Sequence, residues 1–316
     1  MRLHVVGLLA VTAALSGCSK TVTIIGPPVV HPGVTPLALG GQPWNVAISR
    51  QGMVYVTQLA TDSIARVAAD SDRVAANFRV GNGPYDVTFN AAGSSAYVTN
   101  LYDHTVGVIN TSTGTQTSTF PVAGGAVRAL LGPSETKLYV TLDNGGLVVL
   151  NSTSGAAATT IPLGAVPLNG LALTSDRSRL YVSSVGGSVT EINTATEAVM
   201  RSFTFGGRPQ DLVVGPGDST LYAANEAGWV QVWDLKTWTP VDSIAVPAAF
   251  GLALTPDGRR LWVTETQVGQ IAVVDCASRA VVETIPVLGA PRHVVITPDG
   301  TTAVVANQAG AVQIIR

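Results

Sequence analysis

Charge is scarce in this 316-residue chain. Asp, Glu, Lys and Arg together make up 12% of it, and the formal net charge is −2. The 18 Lys and Arg residues form no basic run. Phosphate backbones are held by concentrated Lys and Arg, so no nucleic-acid partner is expected. Cysteine is almost missing: only Cys18 and Cys276 are present, in unlike contexts, which leaves no disulfide framework to build. Histidine is equally thin. His31 lies in a proline-rich stretch, and only His104 and His293 lie further along. A structural zinc site asks for four ligands from His and Cys, so that supply falls short. No Cys-x-x-Cys-His heme attachment, Gly-x-Ser-x-Gly elbow or phosphate loop in a strand–turn–helix setting occurs. No long segment has helical periodicity. The apolar run Val5–Leu15 is shorter than the roughly 20 residues that span a bilayer.

That run has another use. A short basic start, an apolar core and small residues before a cleavage point mark a secretory signal. Leu15-Ser16-Gly17-Cys18 resembles the bacterial lipobox, whose cysteine is diacylated and becomes the new N-terminus. The expected organisation is a signal peptide over 1–17 and a lipidated Cys18 with a tether over 18–33. The tether contains Pro27, Pro28 and Pro32, which favour extended backbone. Ser19 after the cysteine, where an Asp would favour inner-membrane retention, points to the outer membrane. Cys276 sits in the turn Asp275-Cys276-Ala277-Ser278 and reads as a small turn residue, since no activating base is in view.

Beyond residue 33 the chain repeats. Tyr55-Val56-Thr57-Gln58, Tyr97-Val98-Thr99-Asn100, Tyr139-Val140-Thr141-Leu142 and Tyr181-Val182-Ser183-Ser184 are followed by Tyr222-Ala223-Ala224-Asn225, Trp262-Val263-Thr264-Glu265 and Val304-Val305-Ala306-Asn307. Successive anchors stand 40 to 42 residues apart. Each period reads as four short strands separated by turn signals. Thr255-Pro256-Asp257-Gly258 and Thr297-Pro298-Asp299-Gly300 place Pro where φ is near −65° and Gly where φ is positive. A second turn carries an Asx residue with Ser or Thr three positions later, as in Asn110/Thr113 and Asp275/Ser278. Such a side chain hydrogen-bonds the backbone ahead of it, which gives these Asx residues a structural role rather than a metal-binding one.

Four-stranded units of this length resemble β-propeller blades. The Tyr-Val-Thr-Asn signature resembles the YVTN-type β-propeller repeat over about residues 34–316. The resemblance implies an all-β, seven-bladed propeller with four antiparallel strands per blade. The last copy ends on its third strand at Val312–Ile315. Val34–Leu39 aligns with the fourth strand Val282–Val287, so the N-terminal strand is expected to complete the last blade and close the ring.

In that topology the residues just before each first strand crowd the mouth of the central channel. The expected ligand-binding set is Trp44, Asn45, Tyr85, Asp86, Arg128, Asn169, Asp211, Phe250, Arg292 and His293. Asp103, His104 and Trp229 join it from neighbouring loops. These positions mix aromatics with both signs of charge, as ligand sites do. The expected function is a non-catalytic binding module, lipid-anchored to the membrane in the bacterial envelope and needing no cofactor. Its partner would be an envelope protein, a peptide or a glycan. The alternative is a lactonase-like hydrolase with a divalent metal near Asp86, Asp211 and His293, against which Arg128 in the same ring counts.

Overall fold

The computed structural model describes residues 33–287 and 289–316. Cys18, the signal peptide and the tether up to residue 32 lie outside the described residues. The described chain forms 28 strands, numbered β1 to β28 in chain order, and two single 3₁₀ turns, with no α-helix among the described residues. They assemble into seven four-stranded antiparallel sheets. Six are consecutive quartets, of which the first starts at β2 (Pro43–Ile48). The seventh is built from β26 (Pro291–Ile296), β27 (Ala303–Asn307) and β28 (Ala311–Ile315), with β1 (Val34–Ala38) as its outer strand. β1 runs antiparallel to β28 with Val34 opposite Ile315 and Ala38 opposite Ala311. The ring is thus a seven-bladed β-propeller closed by its N-terminal strand.

Burial follows the distance from the axis. The second strand of the first blade, Val54–Gln58, is buried at every position, while the outer strand Thr115–Pro121 buries only Phe120. A strand covered on both faces carries continuous apolar residues instead of alternation. The hydrophobic core is divided into seven clusters, and each one bridges two neighbouring blades. Ile64 of the first blade packs with Val87 and Val98 of the second, and Ile271 of the sixth with Val305 of the seventh.

The recurrent motif supplies polar stitches between blades. The hydroxyls of Tyr55, Tyr97 and Tyr139 each donate, at 3.2 Å, to the carbonyl of Thr111, Ser152 and Thr194 in the next blade. Cys276 occupies the matching place against Tyr222, and its thiol is pushed up by burial, which keeps it protonated and fits its reading as a turn residue. Asn225 accepts from the Arg208 N–H at 2.8 Å and donates to the Gly206 carbonyl at 2.8 Å, tying the loop between blades to its own strand. The Asx turns form as expected: Asn110 accepts from the N–H groups of Ser112 and Thr113, and Asp234 from those of Lys236 and Thr237.

Candidate functional site

The residues expected just before each first strand are inside it. β2 begins at Pro43 and β6 (Pro84–Phe89) at Pro84, so Trp44, Asn45, Tyr85 and Asp86 are strand residues. The inner strands are bulged there. Pro43 pairs with Gln58 and Val46 with Val56, which leaves Trp44 and Asn45 opposite Thr57 alone. A bulge of this kind re-aims side chains, and bulges collect beside functional sites. The motif threonine closes it. Thr57 Oγ1 accepts from the Asn45 N–H at 2.9 Å and donates to the Tyr85 carbonyl of the next blade at 3.3 Å. Thr99 does the same for the Asp86 N–H (2.8 Å) and the Val127 carbonyl (2.9 Å), and Thr264 for the Gly251 N–H and the Arg292 carbonyl, both at 2.7 Å.

Two successive residues per blade therefore reach the channel, on two tiers. The upper tier contains Trp44, Tyr85, Asn169, Gln210, Phe250 and Arg292, which line a cavity of about 370 Å³ at the mouth. Trp44 meets Tyr85 with ring centroids 4.9 Å apart and reaches across to Phe250 at 6.2 Å, edge to face. The Arg292 guanidinium lies over both Trp44 (4.4 Å) and Phe250 (4.5 Å) and donates through Nε to Gln308 at 2.8 Å. On the other side Asn169 donates to Gln210, which donates in turn to Glu226 at 2.7 Å. Arg208, which the sequence reading did not single out, lines the same cavity and pairs with Glu226 at 3.7 Å. Its only signal was its place in the loop before a first strand. Burial pushes the Tyr85 hydroxyl up to about 12 and lowers Arg292 from its usual value.

The lower tier holds Asn45, Asp86, Arg128, Asp211 and His293. None of the five lines the mouth cavity. Arg128 reaches across the axis to Asp211 at 2.8 Å, to Asp86 at 3.4 Å and to His293 Nδ1 at 3.3 Å. Asp86 also accepts from the Ala129 N–H at 2.9 Å, and Asp211 from the Leu252 N–H at 3.0 Å. Burial raises the Asp86 carboxyl. At Asp211 burial acts the same way, but Arg128 and His293 outweigh it and hold the carboxyl low. Burial first, and Arg128 second, bring His293 down to about 4, so it is neutral at pH 7. The cluster forms a barrier across the channel. Asn45, Asp86 and Arg128 border a second cavity of about 260 Å³ on the opposite side.

The structure does bring Asp86, Asp211 and His293 together, but around a guanidinium. Each carboxylate already binds Arg128 and a backbone N–H, so the donor set does not fit a divalent cation. No group of three or more His, Cys, Asp or Glu among the described residues is placed to hold a metal. The loop candidates lie apart from the cavity. Asp103 accepts from the Asn82 N–H at 2.7 Å, as Asp62 does from Gly83 and Asp143 from Gly125, so these acids hold loops in place. His104 is exposed at a left-handed backbone position (φ 55°). Trp229 opens a third strand, Trp229–Asp234, and does not line the mouth. A buried carboxylate went unnoticed in the sequence: Glu191, fully enclosed, is paired with Arg179 and, at 3.0 Å, with Arg201. The blades on either side carry Val at that register, Val149 and Val232, so the break in the repeat was its signal.

No family model matches the chain. It is 24% identical over 241 residues to the uncharacterized protein YncE of Salmonella typhimurium, covering 71% of this chain and 68% of that protein, and equally to YncE of Salmonella typhi. It is 31% identical over 136 residues, 40% of this chain, to the seven-bladed beta-propeller protein Rv1057 of Mycobacterium tuberculosis, of which it covers 34%. Among solved structures, hydrazine synthase of Kuenenia stuttgartiensis superposes with a TM-score of 0.81 at 17% identity, over 93% of this chain and 99% of that one, a likeness of fold alone. Seven bladed sheets, a strand-closed ring and these relatives make the chain a seven-bladed β-propeller.

Proposed function

We propose that this propeller is a non-catalytic binding module of the YVTN type, tethered to the bacterial envelope through Cys18, with its ligand site in the mouth cavity. The observation that carries the reading is the upper tier. Aromatic side chains and one arginine from three separate blades converge across the axis, above a barrier that closes the channel. A concave site with an apolar wall and a few convergent polar groups is what ligand binding requires. The lower tier, by contrast, satisfies its charges internally and presents no open nucleophile, base or metal seat, so the geometry favours binding over hydrolysis. An envelope protein, a peptide or a glycan would each find aromatic surface there.

A photo-crosslinking amino acid placed at Tyr85, in the mouth, and at Arg259, on an exposed turn of the opposite face, tests the reading in cells. Crosslinks to envelope components are expected from position 85 and not from 259, and Cys18→Ala is expected to move the chain out of the membrane fraction. Equal crosslinking from both positions would remove the mouth as the site.

A further inference from the structure

We propose that the mouth cavity takes a small molecule bearing a single carboxylate on a planar apolar body. Arg292 holds the carboxylate, and the body lies against Trp44, Tyr85 and Phe250. This deepens the binding reading above and rests on it.

Of the two cations lining the cavity, Arg292 is the one with no carboxylate in contact; Glu226 acts on it only from a distance. Arg208, the other cation, pairs with Glu226. Arg128, the arginine of the tier below, is paired with Asp86 and Asp211. Arg292 makes no ion pair among the described residues, and its polar side-chain partner is the neutral amide of Gln308. Trp44 and Phe250, perpendicular to one another, flank its guanidinium at 4.4 and 4.5 Å on adjacent sides, and its N–H donors lie in the guanidinium plane. Nε is already committed, which leaves the two terminal nitrogens. A guanidinium edge presents its donors as a fork that matches a carboxylate. Both acids bordering the cavity are otherwise engaged: Glu226 with Arg208 and Gln210, and Asp143 with the Gly125 N–H. Burial disfavours the charge that Arg292 carries, and that desolvation is what an incoming anion would offset.

Charge limits the ligand to one negative group. The cavity lining carries Arg208 and Arg292 against Asp143 and Glu226 and is balanced. A monoanion leaves one unit of excess charge, whereas a phosphate dianion leaves two within reach of Glu226. The aromatic wall favours a flat apolar body beside the charge, because ring–ring contacts add to area burial. Trp44 Nε1 is buried without a well-aligned acceptor, which gives this wall a spare donor at its edge.

Isothermal titration of the full chain at pH 7 with phenylacetate, phenylacetamide and inorganic phosphate tests the proposal. Phenylacetate is expected to bind with a Kd of about 1 mM, the amide at least about tenfold more weakly, and phosphate not at all. Arg292→Met is expected to weaken phenylacetate binding by at least about tenfold. Arg292→Lys retains the charge without the fork and should show an intermediate loss, which keeps the test open if the Met variant does not fold. The proposal is overturned if phenylacetate does not bind, if the amide binds equally well, if neither variant weakens binding, or if phosphate binds as tightly as phenylacetate. Loss of phenylacetate binding with position-85 crosslinks intact would sink the carboxylate and spare the binding reading.

Discussion

Arg128 and Arg292 occupy adjacent tiers of one channel and have different surroundings. The first is held between two carboxylates below the mouth, and the second is flanked by two perpendicular rings and makes no ion pair among the described residues. In a sequence both are an arginine near the start of a first strand. Spacing could bring them to the channel but could not say which would be neutralised, because the carboxylates and rings around them lie 42 to 248 residues away. His293 gives this tier a measurable property. Its folded value of about 4 lies below the ordinary 6.5, so the unfolded chain takes up the proton first as pH falls. Its contribution is fully present above about 6.5 and declines toward pH 4, by about 3 kcal/mol in all. Asp86, raised by burial, works in the opposite sense, and Arg128, Asp211 and Arg292 also face the imidazole. The test is therefore a difference. Urea midpoints measured from pH 7 to pH 4.5 should fall more steeply for the wild type than for His293→Gln, and parallel curves would refute the assignment.

At the scale of the strand, the motif threonine is a bulge staple. Thr99 accepts from one backbone group of its own blade and donates to another in the next. Thr99→Val keeps the shape and leaves the Asp86 N–H and the Val127 carbonyl short of a partner, at a cost of about 1–3 kcal/mol. Equilibrium urea unfolding measures this, and a loss below about 0.5 kcal/mol would mean that the bulge holds itself without the hydroxyl. The blades were readable because their packing repeats, so Tyr97 and Val98 recur where the same neighbours recur. The bulge was not readable. Val87-Thr88-Phe89 looks like the start of a strand because it alternates, while Tyr85 and Asp86 break alternation and look like loop. Only the partner strand, with Thr99 opposite Asp86, shows that pairing continues past them.

Ring closure belongs to the whole molecule. Val34–Ala38 pairs along the full length of β28, and Leu37 and Leu39 pack into the cluster joining the last blade to the first. This was legible because Val34–Leu39 repeats the pattern of a fourth strand that the last copy lacks. Deleting residues 34–39 exposes the edge of β28 and strips that cluster, so the product should aggregate on size-exclusion chromatography and melt well below the full chain. A deletion product that melts cooperatively at the full-length temperature would contradict the register. The same strand sets an orientation. Gly33 meets Arg316, whose side chain binds Asp72 in a turn on the side of the disc opposite the cavity. A lipid anchor joined through residue 33 would therefore pull from the underside, leaving Trp44, Phe250 and Arg292 pointed away from the bilayer, where a visitor can approach without crossing the anchored surface.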